Sequence, residues 1–145
     1  MNLVEALWIL AALLVATVGI GFFLRWRENQ PRRHDPDELV DPARLGAPPL
    51  GEHATLLQFS TEMCARCPGV HRLLSEIARS QAGVAHFDID LTHRPDIAEH
   101  FHVLQTPTTF ILDSRGAIRT RFSGAPSRHV VELELARVTG AAVDA

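Results

Sequence analysis

From Ala6 to Leu24 the chain runs nineteen residues without a charge, ALWILAALLVATVGIGFFL. Coiled as an α-helix at 1.5 Å per residue, that run spans about 28 Å, close to the ~30 Å hydrocarbon core of a bilayer. Trp8 and Trp26 stand near its two ends, where amphipathic rings suit the membrane–water interface. A cleaved signal peptide is the rival reading. It needs a basic leading region, yet Met1–Glu5 has no arginine or lysine, and a small-x-small cleavage site, where the chain has Arg25-Trp26-Arg27-Glu28. The sequence is therefore read as an uncleaved, single-pass membrane anchor over residues 1–24, with lipid contact expected through residues 3–27. Arg25, Arg27, Arg32 and Arg33 follow the span and no basic side chain precedes it. The positive-inside rule then puts the folded part on the cytoplasmic side, with the extracytoplasmic side as the alternative.

This anchor bounds everything else. Residues 25–52 carry Pro31, Pro36, Pro42, Pro48 and Pro49 among charged residues and glycine, a composition expected to form a semi-extended linker, although Leu39, Val40 and Leu45 could dock as a short edge strand. Removing 24 and 28 of the 145 residues leaves 93, residues 53–145, enough for one compact core and too few for two ordinary domains. A formal net charge of −3 gives no reason to expect nucleic acid as a partner. All fourteen basic residues are arginine. Only two cysteines occur, which excludes a small domain stapled by several disulfides and confines thiol chemistry to one spot.

Within residues 53–145, Ala54–Ser60 (ATLLQFS) has the length and apolarity of a central strand buried on both faces. Val70, Leu73, Leu74, Ile77 and Ala78 then recur at i, i+3, i+4, i+7 and i+8, one stripe of an amphipathic helix. Val84–Asp90 reads as a second strand. Pro95 opens a short helix with Ile97, Ala98 and Phe101 on its apolar side. Thr108–Leu112 and Ala117–Phe122 flank the turn Asp113-Ser114-Arg115-Gly116 and predict an antiparallel hairpin, with Arg115, Arg119 and Arg121 on an exposed face. Pro126 opens a last helix carrying Val131, Leu135 and Val138. The order β-α-β-α-β-β-α implies one parallel crossover and a closing antiparallel hairpin.

Cys64-Ala65-Arg66-Cys67 falls between the first strand and the helix after it. Unpaired backbone N–H groups and the positive end of the helix dipole stabilise an anion there, so a thiol loses its proton more easily. A free cysteine with a pKa of about 8.5 is only about 3% thiolate at pH 7, whereas one lowered to about 7 is half thiolate. Arg66 adds a positive charge in the same direction. The spacing lets Cys64 attack a disulfide and Cys67 resolve the mixed disulfide by closing a small ring. Thr106-Pro107-Thr108 precedes a strand. Proline marks a strand start or a special turn, and a cis bond at Thr106-Pro107 would aim the preceding backbone at the dithiol.

The succession of strand, C-x-x-C, helix, strand, helix, T-P-T, hairpin, Ser123-Gly124-Ala125 and final helix resembles the thioredoxin family. More narrowly it is similar to membrane-anchored, thioredoxin-like thiol–disulfide proteins of bacteria, over about residues 50–140. The resemblance implies an α/β, thioredoxin-like fold, a central mixed β-sheet flanked by helices and preceded here by one transmembrane helix. It also implies an exposed nucleophile at Cys64, a more buried resolving thiol at Cys67, and a cis-proline loop at Thr106 and Pro107 that binds substrate backbone. Three positions depart from the family. Met63 replaces a tryptophan, Gln58 replaces a buried aspartate and cannot accept a proton from Cys67, and His86 replaces a lysine on the second strand. With Arg66 these are the candidate tuning residues. Pro68, directly after Cys67, disfavours the helical conformation at Cys67 and is expected to delay the helix start.

The reading is thus a membrane-tethered thiol–disulfide oxidoreductase acting on protein or small-molecule disulfides and thiols. No cofactor or resident metal is expected, and the oligomeric state is left open. Two alternatives remain: a Cu(I) or zinc carrier using Cys64, Cys67 and His71, and a non-catalytic tethered interaction domain. His93, His100 and His102 read as solvated histidines. Gln58 reads as a satisfied core amide, and His86 either tunes Cys67 or is simply a strand residue.

Overall fold

The computed structural model describes residues 2–28, 30–33 and 38–140; Pro36 of the linker and the last five residues of the chain lie outside them. Helix α1, Leu3–Glu28, contains the uncharged run, and its apolar residues are exposed along its length. It has the length and composition of a membrane span, a description that a signal segment near an N-terminus also meets. A two-residue strand β1, Arg32–Arg33, and a one-turn helix α2, Pro42–Leu45, follow. The rest alternates β2 (Ala54–Ser60), α3 (Cys67–Ser80), β3 (Val84–Asp90), α4 (Pro95–His100), β4 (Thr108–Asp113), β5 (Ile118–Ser123) and α5 (Arg128–Thr139).

The five strands form one mixed sheet in the order β1-β5-β4-β2-β3. β2 and β3 run parallel, joined through α3, with Leu56 opposite His86 and Gln58 opposite Asp88. β4 lies antiparallel to β2, Phe59 facing Thr108, and β5 antiparallel to β4, Thr108 facing Ser123. Because successive side chains of a strand point to opposite faces, β2 feeds both cores. Leu57 and Phe59 join Phe101, Phe110 and Ile97 on one side; Ala54 and Leu56 join Val70, Leu74, Ile77 and Leu135 on the other. The expectation of a central strand buried on both faces holds, since residues 54–59 are all buried.

The hairpin turn is built by Asp113, whose Oδ1 accepts from the backbone N–H groups of Arg115 (2.9 Å) and Ala117 (3.0 Å). Gly116 takes φ +88°, the left-handed region that glycine enters without a Cβ penalty. A Cβ there would also meet the Val40 carbonyl oxygen at 2.8 Å.

Four expectations need correction. Helix α3 starts at Cys67, with Pro68 inside its first turn, rather than being delayed. Proline is tolerated there because its missing N–H has no intrahelical partner to lose. α5 begins at Arg128 after Ser127, so Pro126 lies just outside the helix and is buried. Arg121 is half-buried rather than exposed: its guanidinium donates to the carbonyls of Phe101 (3.0 Å) and His102 and stands 5.0 Å from the Phe110 ring centre. Finally, much of residues 25–52 is not a free spacer. Val40 and Leu45 are buried in the core beside Phe101, Leu112 and Ile118, with Ala47 and Leu50 packed against them. Asp41 caps α2 by accepting from the Ala43 N–H at 3.0 Å, and Gly46 ends it in the left-handed conformation. Val40 N–H donates to the Gly116 carbonyl (2.8 Å), and Leu39 bridges Ala117. The sheet edge itself is taken by Arg32–Arg33, paired with Thr120 and Arg121.

Candidate active site

Cys64 and Cys67 form a disulfide with Cα atoms 5.4 Å apart, in the turn that connects β2 to α3. The turn closes through Cys64 N–H to the Thr61 carbonyl (3.1 Å) and Cys67 N–H to the Cys64 carbonyl (3.3 Å). Cys67 is the first residue of α3 and is buried at 4% exposure; Cys64, one turn earlier, is half-exposed. The pair therefore sits at the positive end of a fourteen-residue helix with one sulfur-bearing residue open to a partner and one withdrawn. Arg66 is the residue just before the helix, exposed, and makes no capping bond with its side chain.

Behind the disulfide a polar chain runs from the core to the surface. Gln58, fully buried on β2, donates from Nε2 to the Cys67 carbonyl at 3.1 Å. That carbonyl only accepts, so the amide orientation is determined and Gln58 Oε1 faces His86 Nε2 at 3.3 Å. His86 Nε2 must then carry the hydrogen. In the neutral ring Nδ1 is the acceptor, and Ser75 Oγ donates to it at 2.9 Å. Burial first, and then the neighbouring His71, push the His86 pKa down to about 4, while Asp88 acts in the opposite direction. The His71 ring meets His86 edge-on at 4.9 Å between centres, and its Nδ1 lies 3.1 Å from Asp88 Oδ2. Asp88 Oδ1 accepts from Ser60 Oγ at the end of β2. Gln58 is thus a satisfied core amide, and of the two readings of His86 the structure supplies a physical link, through one amide, to the backbone of Cys67.

The third component arrives through strand register. β2 ends where β4 begins, so the loop before β4 stands beside the cysteine turn. The Thr106–Pro107 peptide is cis and Pro107 is buried. Thr106 Oγ1 lies 3.2 Å from Thr61 Oγ1, tying this loop to the segment that leads into Cys64. The Pro107 carbonyl accepts from Gly124 N–H at 2.8 Å, and Thr108 Oγ1 donates to the Gln105 carbonyl at 2.7 Å. Met63 and Leu104, each 94% exposed, are large apolar side chains on these two loops. An open groove beside the disulfide is lined by Thr61, Glu62, Cys64, Cys67, His71 and Asp88 among others.

All eight residues singled out from the sequence therefore belong to one end of the sheet or to the polar chain beneath it. Ser75, Asp88 and Thr61 were not anticipated. Asp88 had a readable signal: two residues after His86 on the same strand, it shares that residue's face. His71, the third member of the metal alternative, turns its Nδ1 to Asp88, and among the described residues no three metal-ligating side chains are gathered. His93, His100 and His102 are exposed.

No family description and no curated protein matches the chain. Solved structures do. A thioredoxin-2 described as a component of malaria parasite protein secretion machinery is 16% identical and superposes with a TM-score of 0.54 over 59% of this chain and 82% of its own. Mitochondrial thioredoxin 3 from Saccharomyces cerevisiae, in its oxidised form, is 20% identical, with a TM-score of 0.52 over 59% of this chain and 79% of its own. A designed protein reaches 0.55 at 17% identity, over 72% of this chain and 94% of its own. The fold is thioredoxin-like.

Proposed function

From a thioredoxin-like fold that carries a Cys64–Cys67 disulfide at a strand–helix junction, we propose that this protein is a thiol–disulfide oxidoreductase held at a membrane by α1. The observation that carries the reading is the unequal placement of the two cysteines. Cys64 is open to a partner, and Cys67 is withdrawn at the first residue of α3.

In the reduced protein, Cys64 as thiolate attacks one sulfur of a partner disulfide. A mixed disulfide forms, and the other partner sulfur leaves as thiolate and takes a proton. Cys67 then attacks Cys64 Sγ, the Cys64–Cys67 bond closes, and the second partner sulfur leaves. Two electrons and two protons pass to the partner, and each step reverses when the partner is the stronger reductant. A protein or small-molecule dithiol returns the oxidised form to the start. Thr106 and Pro107 would hold the partner backbone beside Cys64 while exchange proceeds. Gln58, His86, Arg66 and Met63 set the environment of the pair.

The test uses full-length protein in detergent micelles and a disulfide substrate. Cys64→Ser should abolish turnover, and Cys67→Ser should accumulate the mixed disulfide, whose partner then identifies the substrate. If the wild type is no faster than Cys64→Ser while binding Cu(I) stoichiometrically, the metal-carrier reading takes its place. If it neither turns over nor binds metal, a tethered interaction domain is left.

Four arginines follow the span and none precedes it, which favours the cytoplasmic face. There, cellular thiols supply reductant and the protein runs as a reductase. A reporter fused at Ala145 that is active only outside the cytoplasm would reverse that assignment.

A further inference from the structure

The end of the sheet that holds the disulfide is also the end at which the chain arrives from the membrane helix. β1 pairs antiparallel with β5, Arg32 opposite Arg121. β5 leaves the sheet at Ser123, opposite Thr108, and Thr108 faces Phe59 next to the last residue of β2. Chain entry at Arg32, the exit of β5, the start of β4 and the cysteine turn after β2 therefore share one edge of the fold. Only three residues separate Glu28 from Arg32, which allows a reach of at most about 14 Å. The last turns of α1 therefore stay close to that edge. Leu24 and Arg27 line a cavity with Leu104, Gln105 and Ser123, and Arg25 lines another with Ala65, Arg66 and Pro126. Elsewhere α1 is exposed and projects free of the domain.

The charge distribution agrees with this geometry. Arg25, Arg27, Arg32 and Arg33 stand on the side of that end nearest α1, and Arg66 and Arg72 face Arg25 across the second cavity. The groove of the disulfide, on the side of β3, the strand farthest from β1, mixes Glu62, Asp88 and Asp90 with Arg72 and His71. Anionic headgroups attract the arginines nearest α1 at about 1 kcal/mol each near the surface. The apolar side chains of Met63 and Leu104, both exposed, lie on the loops of this same end.

The geometry points to a membrane-facing active site: Cys64 looks toward the bilayer surface, and its partner is an integral membrane protein that presents a cysteine pair at headgroup level. This rests on the oxidoreductase and anchor readings above and narrows their partner. A bulky soluble protein would have to wedge between the domain and the bilayer, against a tether of three residues. A membrane protein arrives by lateral diffusion, with its cysteines already at the height of Cys64. The exchange is the two-electron, two-proton reaction already written, with the partner's disulfide as oxidant of the reduced protein.

Full-length protein in phosphatidylcholine–phosphatidylglycerol vesicles tests this in two arms. In the first, Trp8 and Trp26 are changed to phenylalanine, and a single tryptophan is placed at Leu104→Trp or, at the opposite end of the sheet, at Ser114→Trp. A nitroxide on the lipid headgroup should remove most of the fluorescence of the former and little of the latter. Equal quenching, or stronger quenching at position 114, overturns the orientation regardless of activity. In the second arm, reduced wild type is offered a disulfide linked to a phosphatidylethanolamine headgroup or the same disulfide in solution. The headgroup-borne form should react about tenfold faster or more, as confinement to the surface raises its effective concentration at Cys64. Inserting about twenty glycine and serine residues between Gln30 and Pro31 should erase most of that preference and leave the soluble rate unchanged. Exchange with no preference for the headgroup-borne disulfide overturns the partner assignment alone. Exchange with neither disulfide overturns the oxidoreductase reading instead, and the partner assignment with it.

Discussion

Gln58 Nε2 donates to the carbonyl oxygen of Cys67 across 3.1 Å and so fastens the middle of the central strand to the first residue of the helix that carries the site. The same amide accepts from His86 Nε2. A carboxylate at this position could exchange a proton with a nearby thiol; an amide instead supplies a fixed pair of hydrogen bonds.

Gln58→Leu leaves His86 Nε2 without its buried acceptor and removes the bond to Cys67. The expected cost is about 1–3 kcal/mol, the range for stranding a buried polar group. For a domain of this size each kcal/mol lowers the melting temperature by roughly 4–8 °C. Calorimetric melting of the oxidised full-length protein in micelles reads it directly, and an unchanged melting temperature would show that the bond contributes nothing.

His86 carries a pH signature. Its pKa in the folded protein is down at about 4, while the unfolded chain titrates near 6.5. A histidine held neutral in this way contributes its stability above about pH 6.5, and that contribution is lost as pH falls from 6.5 toward 4, where the folded form protonates too. The stability gap between wild type and His86→Asn should therefore shrink between pH 7 and pH 4. A gap that widens on acidification would mean that the folded protein prefers the charged ring.

Leu45 tests whether the proline-rich stretch belongs to the fold. Buried against the core, it should cost about 2–5 kcal/mol on truncation to alanine. Leu39, 64% exposed and only six residues away, should change stability by no more than about 0.5 kcal/mol when treated the same way. Equal, small effects at both positions would return residues 38–50 to the status of a spacer.

Arg121 holds the loop that leads to Pro107. Its two bonds to the Phe101 and His102 carbonyls and its contact with Phe110 fix the segment between α4 and β4. Arg121→Ala should raise amide hydrogen exchange over residues 101–105 about tenfold, the factor that corresponds to 1.4 kcal/mol of local opening. The central strand β2 should exchange as before. Uniform acceleration across the sheet would instead make Arg121 a global stabiliser.

The boundaries of β2 and β3, the stripe of α3, the hairpin around Asp113–Gly116 and the cysteine pair at a helix start were all legible from the chain. Each rests on local physics: side-chain periodicity, the fixed φ of proline, the freedom of glycine, and the spacing of two thiols. Pro68 shows the limit of such reasoning. Its effect on Cys67 was read as a delay of the helix, yet the first turn is where a proline costs least, and α3 begins at Cys67. Residues 38–50 show it more strongly. Prolines and charges read as a semi-extended linker in which Leu39, Val40 and Leu45 could dock at an edge; in the fold Leu39 bridges Ala117, and Val40 and Leu45 are buried beside Phe101 and Ile118.

By itself the sequence pointed to a helix built on a nineteen-residue uncharged run, to room for a compact core in residues 53–145 and to a single place for thiol chemistry, because side-chain periodicity, apolar run length and the two cysteines are all local features of the chain. Tertiary structure decided which cysteine is open, what lies behind it and where α1 enters relative to it. Those facts depend on strand register between residues far apart in the chain. Gln58 meets Cys67, Thr61 meets Thr106 and Arg32 meets Arg121 only when the sheet has assembled.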